Sequence, residues 1–234
     1  MLVVEHLTAK RADLPVVRDV SFAVEAGQVC ALLGVNGAGK TSLLESLSGV
    51  LPIAKGDVQL DGVRINGWRP DRRARAGLAH VEEGRSVFPA MTTEQNLRVA
   101  VGTRADISAA YALFPELVKR RDVRAGLLSG GEQQMVVVAR AYLRNPKVFL
   151  FDELSLGLAP AIVQRLLATV RSLADDGRAV LLVEQFAALA LEVSDHALVM
   201  RHGEIVHSAP AQTLRGQEAL LQDLYLGGDD EAAA

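Results

Sequence analysis

Cysteine and long apolar runs are nearly absent from this sequence, and each shortage removes a class of protein. The single cysteine, Cys30, can close no internal disulfide, which excludes a disulfide-stapled scaffold. It lies in the apolar run Val29–Leu33 and reads as a buried small hydrophobe in a reducing compartment. The longest apolar stretches, such as Ala179–Val183, are far too short to cross a bilayer, so any link to a membrane must come through another subunit. No targeting signal is read before the strand-like Leu2–Glu5. Neither sign of charge dominates. Lys and Arg number 25 against 28 Asp and Glu, a net charge of −3, which does not point to nucleic acid as a partner. The five histidines (His6, His80, His196, His202, His207) lack the spacing of a ligating pair, so no metal is expected beyond one that a nucleotide brings.

What is present is a chain of 234 residues, half of them apolar, ample for a sizeable core. Short strand-like runs come first, at Val20–Val24, Gln28–Leu33 and Asp57–Leu60, then a helical pattern over Lys40–Ser48 and a strand over Leu78–Val81. Residues 93–125 read as helices, with Tyr111, Phe114, Leu117 and Val118 spaced three and four apart. Strand–helix alternation then resumes: Val148–Phe151, Pro160–Leu173, Ala179–Val183, Phe186–Leu191, Ala197–Met200 and Glu204–Val206. The pattern predicts one α/β domain over residues 1–234, with a mostly parallel central sheet, an N-terminal β part and an inserted helical subdomain. Residues 1–92 and 126–222 form its core, 93–125 the insertion, and 223–234 an acidic tail that frays over Asp229–Ala234. Arg69, Arg72, Arg73 and Arg75, like Lys119, Arg120, Arg121 and Arg124, read as solvated helix faces. Trp68, the one tryptophan, reads as a packing residue in a polar loop.

Three motifs carry chemistry. Gly34-Val35-Asn36-Gly37-Ala38-Gly39-Lys40-Thr41 fits GxxxxGK followed by Ser or Thr, after a buried strand and at the start of a helix. Glycines let backbone N–H groups curl around phosphate oxygens, and the helix terminus adds positive potential. Lys40 reaches the β- and γ-phosphates, the Thr41 hydroxyl suits Mg²⁺, and Ser42 continues the cradle. The second motif, Val148-Phe149-Leu150-Phe151-Asp152-Glu153, ends a buried strand in two carboxylates at the carboxyl edge of the sheet, where ligands of open α/β folds bind. Asp152 suits Mg²⁺, and Glu153 suits a base that takes a proton from water. The third, Leu128-Ser129-Gly130-Gly131-Glu132-Gln133-Gln134, places a serine and two glycines at the start of a good helix, a second anion site. Two phosphate-binding helix termini in one chain imply that two chains share nucleotide.

Together these motifs resemble an ABC transporter nucleotide-binding domain from Val3 to about Pro210. Finer features are similar to the Liv-type ATP-binding subunits of branched-chain amino acid transporters: Glu83-Gly84-Arg85, Val87-Phe88-Pro89, Met91-Thr92, Asn96-Leu97, Phe114-Pro115, Ser155 to Pro160, and Leu182-Val183-Glu184-Gln185. The resemblance implies a P-loop ATPase that binds ATP with Mg²⁺ and pairs head to tail with a second, like or unlike, ATP-binding subunit. Ser129, Gly130, Gly131 and Glu132 of one chain would then meet the nucleotide held by Lys40 of the other. It implies permease subunits docked on the Glu83–Asn96 region, no insertion of this chain into the bilayer, and a place on the cytoplasmic face of the cell membrane.

The sequence departs from the family pattern at several points. The residue aligned with the usual adenine-stacking aromatic is Arg11, whose guanidinium plane also suits a base; a solvated loop charge is the other reading. Glu83 stands for the γ-phosphate-sensing glutamine, where it would face Mg²⁺. Gln185 stands for the switch histidine, Leu154 for a proline and Leu158 for an aspartate. Gln185 hydrogen-bonds phosphate or water but carries no proton, which leaves Glu153 as the one evident base. Two further readings remain: a subunit that binds ATP but hydrolyses little, complementing a catalytic partner, and a small-molecule P-loop kinase, which leaves Leu128–Gln134 without a purpose.

Overall fold

The computed structural model describes residues 1–227, and most of the acidic tail, Asp229–Ala234 included, lies outside them. Two sheets divide the strands. β1 (Leu2–Arg11), β2 (Leu14–Val24), β4 (Ile53–Leu60) and β5 (Val63–Arg64) form an antiparallel sheet in the order β2-β1-β4-β5. β3 (Val29–Leu33), β6 (Leu78–Val81), β7 (Val148–Asp152), β8 (Ala179–Val183), β9 (His196–Arg201) and β10 (Glu204–Pro210) form the central sheet. Its order is β10-β9-β3-β8-β7-β6, parallel except where β10 turns back on β9.

Every residue of β3, β7 and β8 is buried, which is why these strands read as unbroken apolar runs. Alternate side chains supply two cores. Val29, Ala31, Leu33, Phe149, Phe151, Val180 and Leu182 face one, against α5 (Gly130–Tyr142), α6 (Pro160–Asp175) and α7 (Ala187–Val193). Cys30, Leu32, Leu150, Leu181 and Val183 face the other, against α1 (Lys40–Ser48) and the antiparallel sheet. Burial pushes the Cys30 thiol up to about 12, as befits a residue that only packs.

Several expectations change. The expected strand Val20–Val24 extends back to Leu14, because Ala12 and Asp13 take φ of 48° and 65° and close a tight hairpin that joins β1 to β2. The helical block over 93–125 is fragmentary: α3 (Thr93–Arg98), α4 (Ser108–Leu113) and two 3₁₀ turns, Pro115–Arg120 and Ala125–Leu127. Gly102 at φ 97° and Pro115 interrupt it, and its ends are clipped by Thr93 N–H to Val123 O and Ala125 N–H to Met91 O. Residues 223–226 are no frayed tail; they belong to α8 (Glu218–Leu226), whose Leu224 and Tyr225 pack on the core.

Arg73, expected on a solvated face, is 1% exposed. From α2 (Pro70–Arg75) it donates to Ser46 O and Leu47 O at 2.7 Å, and to Asn66 O and Trp68 O at 2.7 and 3.1 Å. Of these carbonyls Ser46 O takes only a long bond from Gly49 N–H, at 3.3 Å, and the guanidinium adds a donor together with a charge that opposes the negative end of the helix. Trp68 takes Arg72 on its face, 3.9 Å from the ring centre. Arg73→Met should therefore strand several buried carbonyls and cost about 3 kcal/mol in urea unfolding. A loss below about 0.5 kcal/mol would mean that the clamp is dispensable.

Candidate functional site

The loop from Gly34 to Gly39 runs from the end of β3 into α1 and wraps the Lys40 ammonium. Lys40 is 5% exposed, and its Nζ donates to Gly34 O at 2.7 Å and Val35 O at 3.1 Å. Burial lowers its pKa, while the charges of Glu153 and Asp152 act to raise it. The loop is shaped by close approach as much as by turn geometry. Gly39 has φ 108°, and a methyl there would lie 2.6 Å from Val16 O. No acidic residue sits in the first turn of α1, so its positive end is unopposed and faces a cavity of about 580 Å³.

Asn36, Gly37, Gly39, Lys40, Thr41, Ser42, Glu83, Glu153 and Gln185 all line that cavity. Gly34 and Ala38 stand behind it: Ala38 is buried, its carbonyl taking Gly203 N–H at 2.8 Å. Asp152, at the end of β7, is 1% exposed and its Oδ1 has no partner. Burial pushes its carboxyl up to about 6, the Thr41 hydroxyl opposes the rise, and the charges of Glu153 and Glu83 add to it. An orphaned carboxylate oxygen next to a threonine hydroxyl is a hard-oxygen pair that fits Mg²⁺, an ion commonly held by one or two protein oxygens and the phosphates of its ligand. Among the described residues no group of three or more His, Cys, Asp and Glu could hold a metal ion without such help.

Glu153 adopts φ 46°, a strained geometry for a non-glycine residue that costs on the order of 1–3 kcal/mol and gathers at functional sites. Its N–H is held by Val183 O at 3.0 Å, which turns the chain at the edge of the sheet where the carboxylate joins the cavity. Two residues on, Ser155 gives its N–H (3.1 Å) and hydroxyl to Glu184, itself 1% exposed. Burial pushes the Glu184 carboxyl up to about 6, with the Ser155 bonds opposing.

Two sequence-derived candidates lie outside this cavity. Arg11 does not line the cavity; it ends β1 and pairs with Glu45 of α1. Its place is taken by Pro15, Val16 and Arg18 of β2 and by the turn His202–Gly203, which Arg18 N–H and Gly203 O tie together at 2.7 Å. No local signal marks these residues, because strand register and a hairpin from the far end of the chain assemble them. Glu132 is engaged at home. Its carboxylate accepts from Ser129 N–H at 2.8 Å and from Arg120 at 2.7 Å, while the Ser129 hydroxyl accepts from Glu132 N–H. This capping box puts Ser129, Gly130 and Gly131 at the start of α5, outside the cavity that holds Lys40.

A family model described as ABC transporter matches residues 17–155, more than half of the chain. The chain belongs to the ABC transporter family. It is 38% identical to the high-affinity branched-chain amino acid transport ATP-binding protein BraG of Pseudomonas aeruginosa, over 97% of this chain and 100% of that one. A probable branched-chain amino acid transport ATP-binding protein, LivF of Archaeoglobus fulgidus, is 34% identical over 93% and 95%. The lipopolysaccharide export system ATP-binding protein LptB of Escherichia coli is 33% identical over 92% of each. A solved nucleotide-free ATP-binding cassette from an ABC transporter superposes with a TM-score of 0.86 at 23% identity, over 97% and 99%. That likeness concerns the fold alone: an α/β cassette with an antiparallel sheet beside a mostly parallel one.

This ABC subunit is therefore an ATPase. Gly39→Ala should abolish ATP binding, since the added methyl meets Val16 O; retention of binding within about twofold of the parent, by titration with a fluorescent ATP analogue, would contradict this account of the loop.

Proposed function

We propose that the chain hydrolyses ATP for an importer of branched-chain or related amino acids. In this reading it pairs with a second ATP-binding subunit and is held at the cytoplasmic face of the cell membrane by permease subunits. The observation that carries the reading is the meeting of Lys40, Thr41, Glu83, Glu153 and Gln185 in one cavity above Asp152, while Ser129–Gly131 lie outside it. A site with its own phosphate cradle, and a spare helix terminus beyond it, is complete only when a second chain supplies its spare. BraG and LivF, both named for branched-chain amino acid transport, support import. Among the described residues no helix is long and apolar enough to cross a membrane, which supports a separate permease.

In the mechanism, loop N–H groups and the start of α1 take the phosphates, and Lys40 donates to the β- and γ-oxygens. The base lies toward Val16 and Arg18, not Arg11. Mg²⁺, held by Thr41 and Asp152 with Glu83 facing it, would supply charge neutralisation on the phosphate oxygens. Glu153 takes a proton from the water whose oxygen attacks the γ-phosphorus, as the bond to the ADP oxygen breaks. Gln185 orients that water by hydrogen bonding. N–H groups at the start of the partner's α5, with the Ser129 hydroxyl, complete the site, so the closed pair is the ATP-bound state.

The reading extends to the permease. A groove of about 270 Å³ runs between Phe88, Val99 and Ala100 on one side and Val137, Arg140 and Arg144 on the other. Phe88 and Val99 are half exposed, and Arg140 Nη1 is buried with no partner. An apolar helix bearing a carboxylate fits such a groove. Arg140→Glu should reduce co-purification with co-expressed permease subunits about tenfold while leaving soluble ATPase activity intact; undiminished co-purification would place the contact elsewhere.

Glu153→Gln should cut turnover about 10²–10⁴-fold with ATP binding retained and a dimer accumulating on gel filtration in Mg-ATP. Parental turnover in that variant would sink the mechanism. Gln185 favours one further reading, a subunit that closes on ATP with little hydrolysis of its own. Turnover absent alone and restored by a partner ATPase would select it.

A further inference from the structure

One side chain stands between the nucleotide cavity and the start of α5 with no task in the mechanism above. Arg85 follows Glu83, a residue of the cavity wall, on the loop after β6. Its Nη2 donates to Leu156 O at 3.3 Å and Gly157 O at 3.2 Å, on the loop that follows Glu153. Its guanidinium also lies against the first turn of α5. A methyl added at Gly130 would sit 2.7 Å from Arg85 Cζ. One cation thus touches three segments, carrying respectively Glu83, Glu153 and the Ser129 helix terminus.

The loop that Arg85 grips is anchored from the other side as well. Ser155 is bound through its N–H and its hydroxyl to the buried Glu184, the residue before Gln185. The segment from Ser155 to Gly157 is therefore fixed at one end to Glu184, just past β8, and at the other to Arg85.

The grip of Arg85 is weak by design of its surroundings. Its two carbonyl contacts are long for bonds from a charged donor, and no ion pair of Arg85 occurs among the described residues. A cation at the positive end of a helix is electrostatically disfavoured. The second cavity, which Arg85 lines, shares Glu83, Glu153 and Leu156 with the nucleotide cavity. The guanidinium therefore borders the wall of the nucleotide cavity with no intermediate element. Movement of the guanidinium in turn alters what lies against Gly130, on the helix terminus that faces the partner.

We propose that Arg85 is a positioning residue that couples the two ATP sites of the paired subunits, making the placement of Ser129 and Gly130 toward the partner's nucleotide depend on the occupancy of the chain's own cavity. This rests on the head-to-tail pairing proposed above. It assigns to Arg85 the communication between sites, not the chemistry in either.

The test is phosphate release against Mg-ATP concentration for the parent, Arg85→Ala and Arg85→Lys, with binding of a fluorescent ATP analogue and thermal melting measured on each. The parent should be sigmoidal. Arg85→Ala should turn hyperbolic with kcat lowered about tenfold, its analogue binding and melting temperature unchanged. Arg85→Lys should fall between them, because an ammonium reaches one carbonyl but does not bridge two segments. A sigmoidal Arg85→Ala with parental kcat overturns the proposal. So does loss of binding and melting temperature in step with the rate, which would mark Arg85 as a packing residue only. A hyperbolic parent overturns the paired-site reading and the proposal with it.

Discussion

The buried ammonium of Lys40 is the constraint on which the rest of the structure depends. Taking a cation out of water costs several kcal/mol unless oxygen atoms replace the solvent. Here two carbonyls of its own loop do so, from Gly34 and Val35. That wrap requires Gly39 at a φ closed to other residues and a strand, β3, rigid enough to present the loop. Rigidity comes from burial on both faces: five consecutive buried residues, flanked by β8 and β9. The far end of α1 is held by a second buried cation, Arg73, so the helix that aims at the phosphates is tied at both ends.

Around that ammonium the charges do not balance without a ligand. Asp152, Glu153 and Glu83 crowd one side, and burial already pushes Asp152 up to about 6. In the proposed site the phosphates would satisfy Lys40 and the helix terminus, and a divalent cation would satisfy the carboxylates, each making the other's binding favourable. Strain at Glu153 and the orphaned Asp152 oxygen are costs borne for this arrangement, in keeping with local rules being broken where function is performed.

Much of this was legible in the sequence, for physical reasons that differ by element. The bounds of α1 and β8 follow from glycine at a helix start and from a continuous apolar run in a doubly buried strand. Asp152 was placed at the sheet edge by the strand that precedes it, and the Ser129 cap by its spacing from Glu132. Long-range assembly was not legible. Val16, Arg18 and the His202–Gly203 turn reach the cavity through register between distant strands, whereas Arg11 pairs with Glu45 away from it. Arg73 looked like its arginine neighbours and differs only in having four carbonyls within reach. The hairpin at Ala12–Asp13 carries no glycine or asparagine to announce two positive φ angles.

The central claim is that the Lys40 cavity both binds and turns over ATP. Steady-state phosphate release from Mg-ATP by the purified protein, beside Lys40→Ala, tests it most directly. The account predicts saturable turnover in the parent and none above background in the variant, with the melting temperature of the nucleotide-free protein preserved. Turnover in Lys40→Ala equal to that of the parent would contradict it.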